Sequence, residues 1–153
     1  MAMNEALSTL TTSGDAKDLT KVVKQFPVRE GEKPWTVREV TELADELVAE
    51  RDRLEAELTT ADAELSDLLR HSGDGAGDDQ ADSGSSALER EHELTLVNNT
   101  RDLRDQTRHA LDRITTGTFG VCESCGNPIG KARLQAFPRA TRCVECKQRE
   151  ERR

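Results

Sequence analysis

All four cysteines of the chain lie in two Cys-x-x-Cys pairs near its C-terminal end, with seventeen residues between the pairs. A turn of this kind places two thiolates on one side of a bend, and two such turns facing each other form the tetrahedral cage of a structural zinc site. The predicted metal ligands are Cys122, Cys125, Cys143 and Cys146. Because four thiolates leave no coordination position for water, we expect one structural Zn²⁺ and no catalytic metal.

The alternatives for these cysteines are two disulfides or redox-active thiols. The N-terminal sequence MAMNEALSTL lacks the basic start and apolar core of a signal peptide, and nothing points to an oxidising compartment. No apolar run approaches the ~20 residues that span a bilayer. We therefore expect a cytoplasmic protein without a membrane segment, which favours zinc over disulfides.

The rest of the chain has the pattern of long helices with a narrow apolar seam. Hydrophobic residues make up 34% of the sequence and aromatic residues 3%, too little for a large globular core. A first helix is predicted over 36–70, with Thr36 and Glu39 as a capping box. A second is predicted over 87–116. Both step by four and three residues along a heptad seam. The seam residues are Val40, Ala44, Leu47, Arg51, Leu54, Leu58, Ala61, Leu65 and Leu68 in the first helix, and Leu96, Thr100, Leu103, Thr107, Ala110 and Ile114 in the second.

These patterns predict a mainly α protein, a long antiparallel coiled-coil hairpin joined to a small C-terminal four-cysteine zinc-finger module with a short terminal helix. The predicted divisions are a flexible N-terminal arm and linker over 1–34, the hairpin over 35–117 with a loop tip at 71–86, and the zinc module over 118–153. Four apolar residues form the expected core of that module: Phe119, Ile129, Leu134 and Phe137. Because the hairpin uses its own seam, we expect a monomer rather than a coiled-coil dimer.

Charge and residue types exclude several functions. The net charge is −8, with residues 117–153 at +4 and the remainder at −12, which argues against direct nucleic-acid binding by the whole surface. No nucleophile–base arrangement is visible, so we do not expect an enzyme. The predicted loop carries four aspartates, which are either a solvated acidic turn or a site for a divalent cation. They are Asp74, Asp78, Asp79 and Asp82.

The zinc region resembles the DksA/TraR family of bacterial transcription regulators. The residues that carry the resemblance are 118–126, TFGVCESCG, followed by Pro128-Ile129-Gly130, Arg133-Leu134, Ala136, Pro138 and the second cysteine pair. Members of this family bind RNA polymerase rather than DNA. Their coiled coil enters the secondary channel and brings an acidic tip near the active site.

The resemblance also implies roles for individual residues. The acidic tip motif falls on Asp79 and Asp82, with Gly84 where the family has alanine. The family's polymerase-gripping arginines are replaced by Thr95 and Asn99, with Arg101 and Arg104 nearby; Arg133 and Lys147 are further candidate contacts. The positions through which some members bind ppGpp are Gln106, Phe137 and Lys147, so we expect weak or absent ppGpp dependence. Two alternatives are a Gre-like transcript-cleavage accessory and a zinc-stabilised coiled-coil adaptor.

Overall fold

The structure is a computed structural model that describes residues 16–73 and 80–153, with the backbone alone for 16–19, 71–73 and 80–86. The described residues contain five helices and no strand, apart from an isolated bridge between Val121 and Pro128. The helices are α1 (Ala16–Lys24), α2 (Val37–Gly73), α3 (Gln80–Thr116), α4 (Lys131–Ala136) and α5 (Val144–Glu151). Among them, no helix is both long and apolar enough to cross a membrane.

The two long helices, α2 and α3, pack together as the heptad pattern predicts, and they contribute to two compact units. The first unit joins the described residues up to Ala49 with Gln106–Arg153, and the second is Glu50–Asp105. In the first unit, the buried cluster contains five predicted seam residues: Val40, Ala44, Leu47, Ala110 and Ile114. Thr36 begins α2 as predicted, since its Oγ1 accepts a hydrogen bond from the Glu39 amide at 3.2 Å.

The predicted seam of α3 is partly wrong. Leu96 is 45% exposed, while the neighbouring Val97 is fully buried, and Leu111 is buried beside the predicted Ala110. The buried row of α3 therefore includes Val97, Thr107, Leu111 and Ile114. Both rows step by four and three residues from Ile114, so heptad spacing alone does not distinguish them. Between Val97 and Leu111, the position of this row at Arg104 is half-buried.

The long helices extend further than the sequence pattern indicates. Helix α2 continues to Gly73 and α3 begins at Gln80, whereas the predicted loop covered 71–86. A single helical glycine, Gly84, costs only about 1 kcal/mol, which does not end a helix that is otherwise continuous. Asp74, Asp78 and Asp79 lie outside the described residues, and for Asp82 the structure gives only a helical backbone.

The described part of the N-terminal segment, residues 16–34, differs from the flexible arm and linker expected from the sequence, because part of it is buried. Val23, Phe26 and the following Trp35 are buried in the same cluster as the cysteines of the zinc region. The rings of Phe26 and Trp35 meet Phe119 edge-on, with centroid separations of 5.4 and 5.8 Å. These aromatic residues are far apart in the sequence, but burial of their combined apolar surface provides the driving force for packing them together.

Three of the four apolar residues predicted for the zinc module are in its core, and one is not. Phe119, Ile129 and Leu134 are fully buried, but Phe137 is 63% exposed. Phe137 follows α4 as its C-cap, and its ring lies 5.8 Å from the Arg133 guanidinium carbon. The core instead contains Phe26 and Trp35 from the N-terminal segment.

Candidate metal centre and basic surface

The four predicted ligands converge on one point. The Sγ atoms of Cys122, Cys125, Cys143 and Cys146 lie within 4.8 Å of one another, and those of Cys125 and Cys143 are 3.7 Å apart. Sulfurs at ~2.3 Å from a tetrahedral zinc are separated by about 3.8 Å, so the donor set fits Zn²⁺. All four cysteines are free of disulfides, and three of them are buried. The protein therefore holds a structural zinc site, with no donor position left for water.

Backbone hydrogen bonds shape the first cysteine turn. The Gly126 amide donates to the Cys122 carbonyl at 2.9 Å, and the Cys122 amide donates to the Asn127 carbonyl at 2.8 Å. Gly126 has φ +77°, a conformation that residues with a Cβ rarely adopt, which explains a glycine directly after the turn. The Cys143 amide also donates to the Cys122 sulfur at 3.3 Å, linking the two turns.

These hydrogen bonds prepare one sulfur for metal binding. Burial disfavours ionisation of Cys122, but backbone N–H groups, those of Cys125 and Cys143 foremost, outweigh it and lower the pKa of its thiol to about 6. At Cys143, burial raises the pKa to about 12. Zinc must therefore displace a proton from Cys143 at neutral pH, which makes zinc affinity pH-dependent.

A buried arginine joins α3 to the zinc module. Arg113 is 6% exposed, and its Nη2 donates to the carbonyl oxygens of Thr118, at 2.9 Å, and of Val121. Burial lowers the pKa of Arg113, and the charge of Glu123 opposes that effect. Helix α3 ends just before these residues, where the amides of Thr118 and Phe119 both donate to the Arg113 carbonyl. Arg113 thus fixes the direction in which the chain leaves the helix.

Replacing Arg113 with lysine is expected to lower the free energy of unfolding by about 2 kcal/mol, because one of the two carbonyls loses its charged donor. Arg38→Lys is the control, since Arg38 lies on the surface of α2 and pairs with Glu42 one turn away. Its change should stay within about 0.5 kcal/mol. Denaturant unfolding followed by circular dichroism measures both. Equal stability of the two variants would contradict this role.

Two further residues of the site were not found from the sequence. Arg29 Nη2 contacts both carboxylate oxygens of Glu145 at 2.7 Å. Glu32 accepts hydrogen bonds from the amides of Lys131, at 3.1 Å, and Ala132, at 3.0 Å. Partial burial raises the pKa of Glu32, but its backbone donors outweigh burial and keep that pKa below the usual range. Their partners are about a hundred residues away in the chain, so no local pattern signals them.

The basic residues of the zinc module surround a surface cavity of about 330 Å³. It brings together Arg133 and Lys147, both predicted partner contacts, and adds Arg139 and Arg142. Glu150 pairs with Arg142 at 2.5 Å and lies 3.8 Å from Lys147. Gln106 is the contribution of α3, whereas the exposed Phe137 is not part of the lining.

The other predicted partner residues lie on α3 within the second unit. Arg101 pairs with Asp62 of α2 at 2.9 Å, and Arg104 pairs with its neighbour Asp105 at 3.0 Å. The Thr95 hydroxyl donates to the Glu91 carbonyl at 2.9 Å. Ion pairs at this exposure contribute about 0–1 kcal/mol, so either arginine can exchange its partner at little cost.

Comparison with known proteins identifies the class of the zinc module. Residues 117–152 match the model of the prokaryotic dksA/traR C4-type zinc finger. An RNA polymerase-binding transcription factor DksA from Caulobacter vibrioides is 45% identical over 75 residues, 49% of this chain and 53% of the relative. The protein of the same name from Escherichia coli is 41% identical over 63 residues, 40% of this chain and 42% of the relative. The matched regions thus span about half the length of these curated relatives or less.

A solved structure extends the similarity along the chain. The transcription factor DksA2 from Pseudomonas aeruginosa has a TM-score of 0.62 and 28% sequence identity, and the match covers 95% of this chain and 96% of that one. With the four-sulfur cage and the paired long helices, these matches define a mainly α protein with a four-cysteine zinc finger. The resemblance to the DksA/TraR family recognised in the sequence is confirmed: the chain carries the family's C4-type zinc finger over residues 117–152 and is similar to DksA2 over most of its length.

Proposed function

We propose that this protein is a transcription regulator that binds bacterial RNA polymerase through its secondary channel. The end of the hairpin between α2 and α3 points towards the active site, and the protein works in the cytoplasm as a monomer. It binds no specific DNA sequence and is not an enzyme. The observation that carries the proposal is the combination of a DksA/TraR zinc module with two long packed helices.

The chemistry of the described site agrees with a binding role. Four thiolates close the zinc shell, so the metal shapes the module rather than activating water. The basic residues around the cavity, above all Arg133 and Lys147, suit an acidic or phosphate-bearing surface of the partner. Arg101 and Arg104 offer further charged contacts on α3, because their present ion pairs are weak.

In this mechanism, the charge of Asp79 and Asp82 acts at the polymerase active site. That site holds Mg²⁺, and two carboxylates brought close to it alter the local potential felt by metal and nucleic acid. No bond is made or broken by the protein itself. The zinc module stays outside the channel and fixes the depth of insertion through its basic surface.

The double substitution Asp79→Asn/Asp82→Asn is expected to leave polymerase affinity within about threefold and to abolish the effect on promoter transcription, because it removes two negative charges while nearly preserving side-chain size. The control is Asp74→Asn/Asp78→Asn, which makes the same charge change in the same acidic run and should act as wild type. Affinity is measured by competition binding to purified polymerase, and activity by a multi-round transcription assay.

Three outcomes would contradict parts of this function. Failure of the wild type to bind polymerase would contradict the proposed function as a whole and favour a zinc-stabilised coiled-coil adaptor. If the Asp79→Asn/Asp82→Asn variant and its control affect transcription equally, the protein acts by occupying the channel and not through the charge of these two residues. Cleavage of a stalled transcript would favour the Gre-like accessory.

The transcription assay with and without ppGpp should give similar curves, because Gln106 and Phe137 carry no charge at positions where the family resemblance implies basic ppGpp contacts.

A further inference from the structure

We propose that residues 22–35, here called the strap, position the zinc module, and that strap docking and zinc binding stabilise each other. The sequence suggests mainly a linker here, but Val23, Phe26 and Trp35 are buried in one cluster with Cys122 and the other buried ligands. The proposal concerns the zinc module alone and holds whether or not the protein binds polymerase.

Two glycines of the zinc module lie directly against the strap. A Cβ at Gly120 would lie 3.4 Å from the Pro27 carbonyl oxygen, and one at Gly130 would lie 3.2 Å from Arg29 Cδ. Both glycines also have positive φ, +88° and +113°. The two glycines that bracket the first cysteine turn are therefore the points at which the strap lies against it.

Glu32 supplies the cap that α4 lacks. Gly130 precedes α4 and offers no side-chain hydrogen bond to the helix start. The amides of Lys131 and Ala132 donate instead to the Glu32 carboxylate, and the Arg29 amide donates to it from within the strap at 2.8 Å. A carboxylate at the first amides of a helix is the arrangement that satisfies them best. Glu32 thereby fixes the start of α4, the helix that contributes the fully buried Leu134 to the core.

The second cysteine turn is held from the same segment. The Arg29 guanidinium contacts both oxygens of Glu145, which lies between Cys143 and Cys146. Lys131 completes the attachment at the other end of the strap. Its Nζ pairs with Glu39, lies within 3.4 Å of the Pro34 carbonyl oxygen and sits 5.5 Å from the centre of the Trp35 ring. The strap thus contacts the chain on both sides of the first metal-binding turn and within the second.

The chain contains its own probe for strap docking. Trp35 is the only tryptophan, and there is no tyrosine, so its emission reports on the end of the strap without interference. It is buried against Phe119. Removal of zinc with a chelator under reducing conditions should shift its emission to the red, and readdition of zinc should restore it. Unchanged emission after complete zinc removal, checked by metal analysis, would overturn the coupling.

The reciprocal test is zinc release from strap variants, since coupling between two binding events acts in both directions. Glu32→Gln should speed zinc transfer to a colorimetric chelator about fivefold to tenfold, the effect of weakening hydrogen bonds to a charged group. It should also speed amide exchange at Lys131 and Ala132. The control is Glu30→Gln, which makes the same change on an exposed strap residue. Equal release from the two variants would overturn the role of Glu32.

A charge exchange tests Arg29 even if a single variant folds poorly. Arg29→Glu should speed zinc release, and the pair Arg29→Glu/Glu145→Arg should restore much of the wild-type rate. The expected effect is smaller, about twofold to threefold, because both side chains are partly exposed. A general loss of packing would not be rescued by the exchange. Absence of rescue in a folded double variant would count against positioning by Arg29.

Discussion

Replacing Cys143 with serine is expected to abolish stoichiometric zinc binding and to unfold the first unit, because three thiolates cannot close the tetrahedral shell. Cys143 is buried in the same cluster as Val40 and Phe119, so the metal site and the apolar core are one structure. Structural zinc contributes apparent binding free energies of about 10–16 kcal/mol in small zinc-finger peptides, comparable to or above the whole stability of a typical domain. Metal analysis and near-ultraviolet circular dichroism measure the two losses.

Ser124→Ala is the control for this substitution. Ser124 lies between the two cysteines of the first turn and is exposed. Its replacement should leave zinc content and the spectrum unchanged. A Cys143→Ser variant that kept one zinc per chain and native near-ultraviolet signal would contradict the structural role of the metal.

The second large effect is expected for Phe119→Ala. Phe119 is 1% exposed and meets the rings of Phe26 and Trp35, so its removal leaves a cavity at the centre of the first unit. Truncation of a buried phenylalanine costs about 3–5 kcal/mol. Denaturant unfolding should show this loss as a lower midpoint with the same slope, and Trp35 emission should move to the red in the folded variant.

Phe137→Ala is the matched control, because it makes the same truncation in the same module. The ring of Phe137 is mostly exposed, so its loss should change stability by no more than about 0.5 kcal/mol. If both substitutions cost the same, the placement of the two rings is wrong. The original sequence expectation, with both rings in the core, predicts that result.

The sequence predicted the parts of the molecule that depend on local repeats and on counting. Two long helices followed from heptad spacing, and the four ligands followed from the spacing of all four cysteines. The seam of α3 could not be chosen so simply. Leu96 and Val97 lie on adjacent rows that both fit a heptad, and the larger side chain was the wrong choice.

The sequence does not predict the contacts that complete the site, because they join distant parts of the chain. Glu32 and Ala132 are 100 residues apart, and neither belongs to a recognisable motif. No sequence pattern singles out Arg113, since its carbonyl partners depend on the path of the chain after Gly117. Residue type alone predicts Phe137 in the core, whereas the core aromatic residues beside Phe119 are Phe26 and Trp35 from the distant N-terminal segment.

The first unit is discontinuous in the chain, and this has a consequence for its synthesis. Residues up to Ala49 emerge from the ribosome early, but their partners begin at Gln106. Val23, Phe26 and Trp35 of the early segment therefore lack their partners from Gln106–Arg153 until the whole of the second unit has been translated. Contacts of such long sequence separation form slowly. An intermediate with exposed aromatic rings is a target for chaperones during that interval.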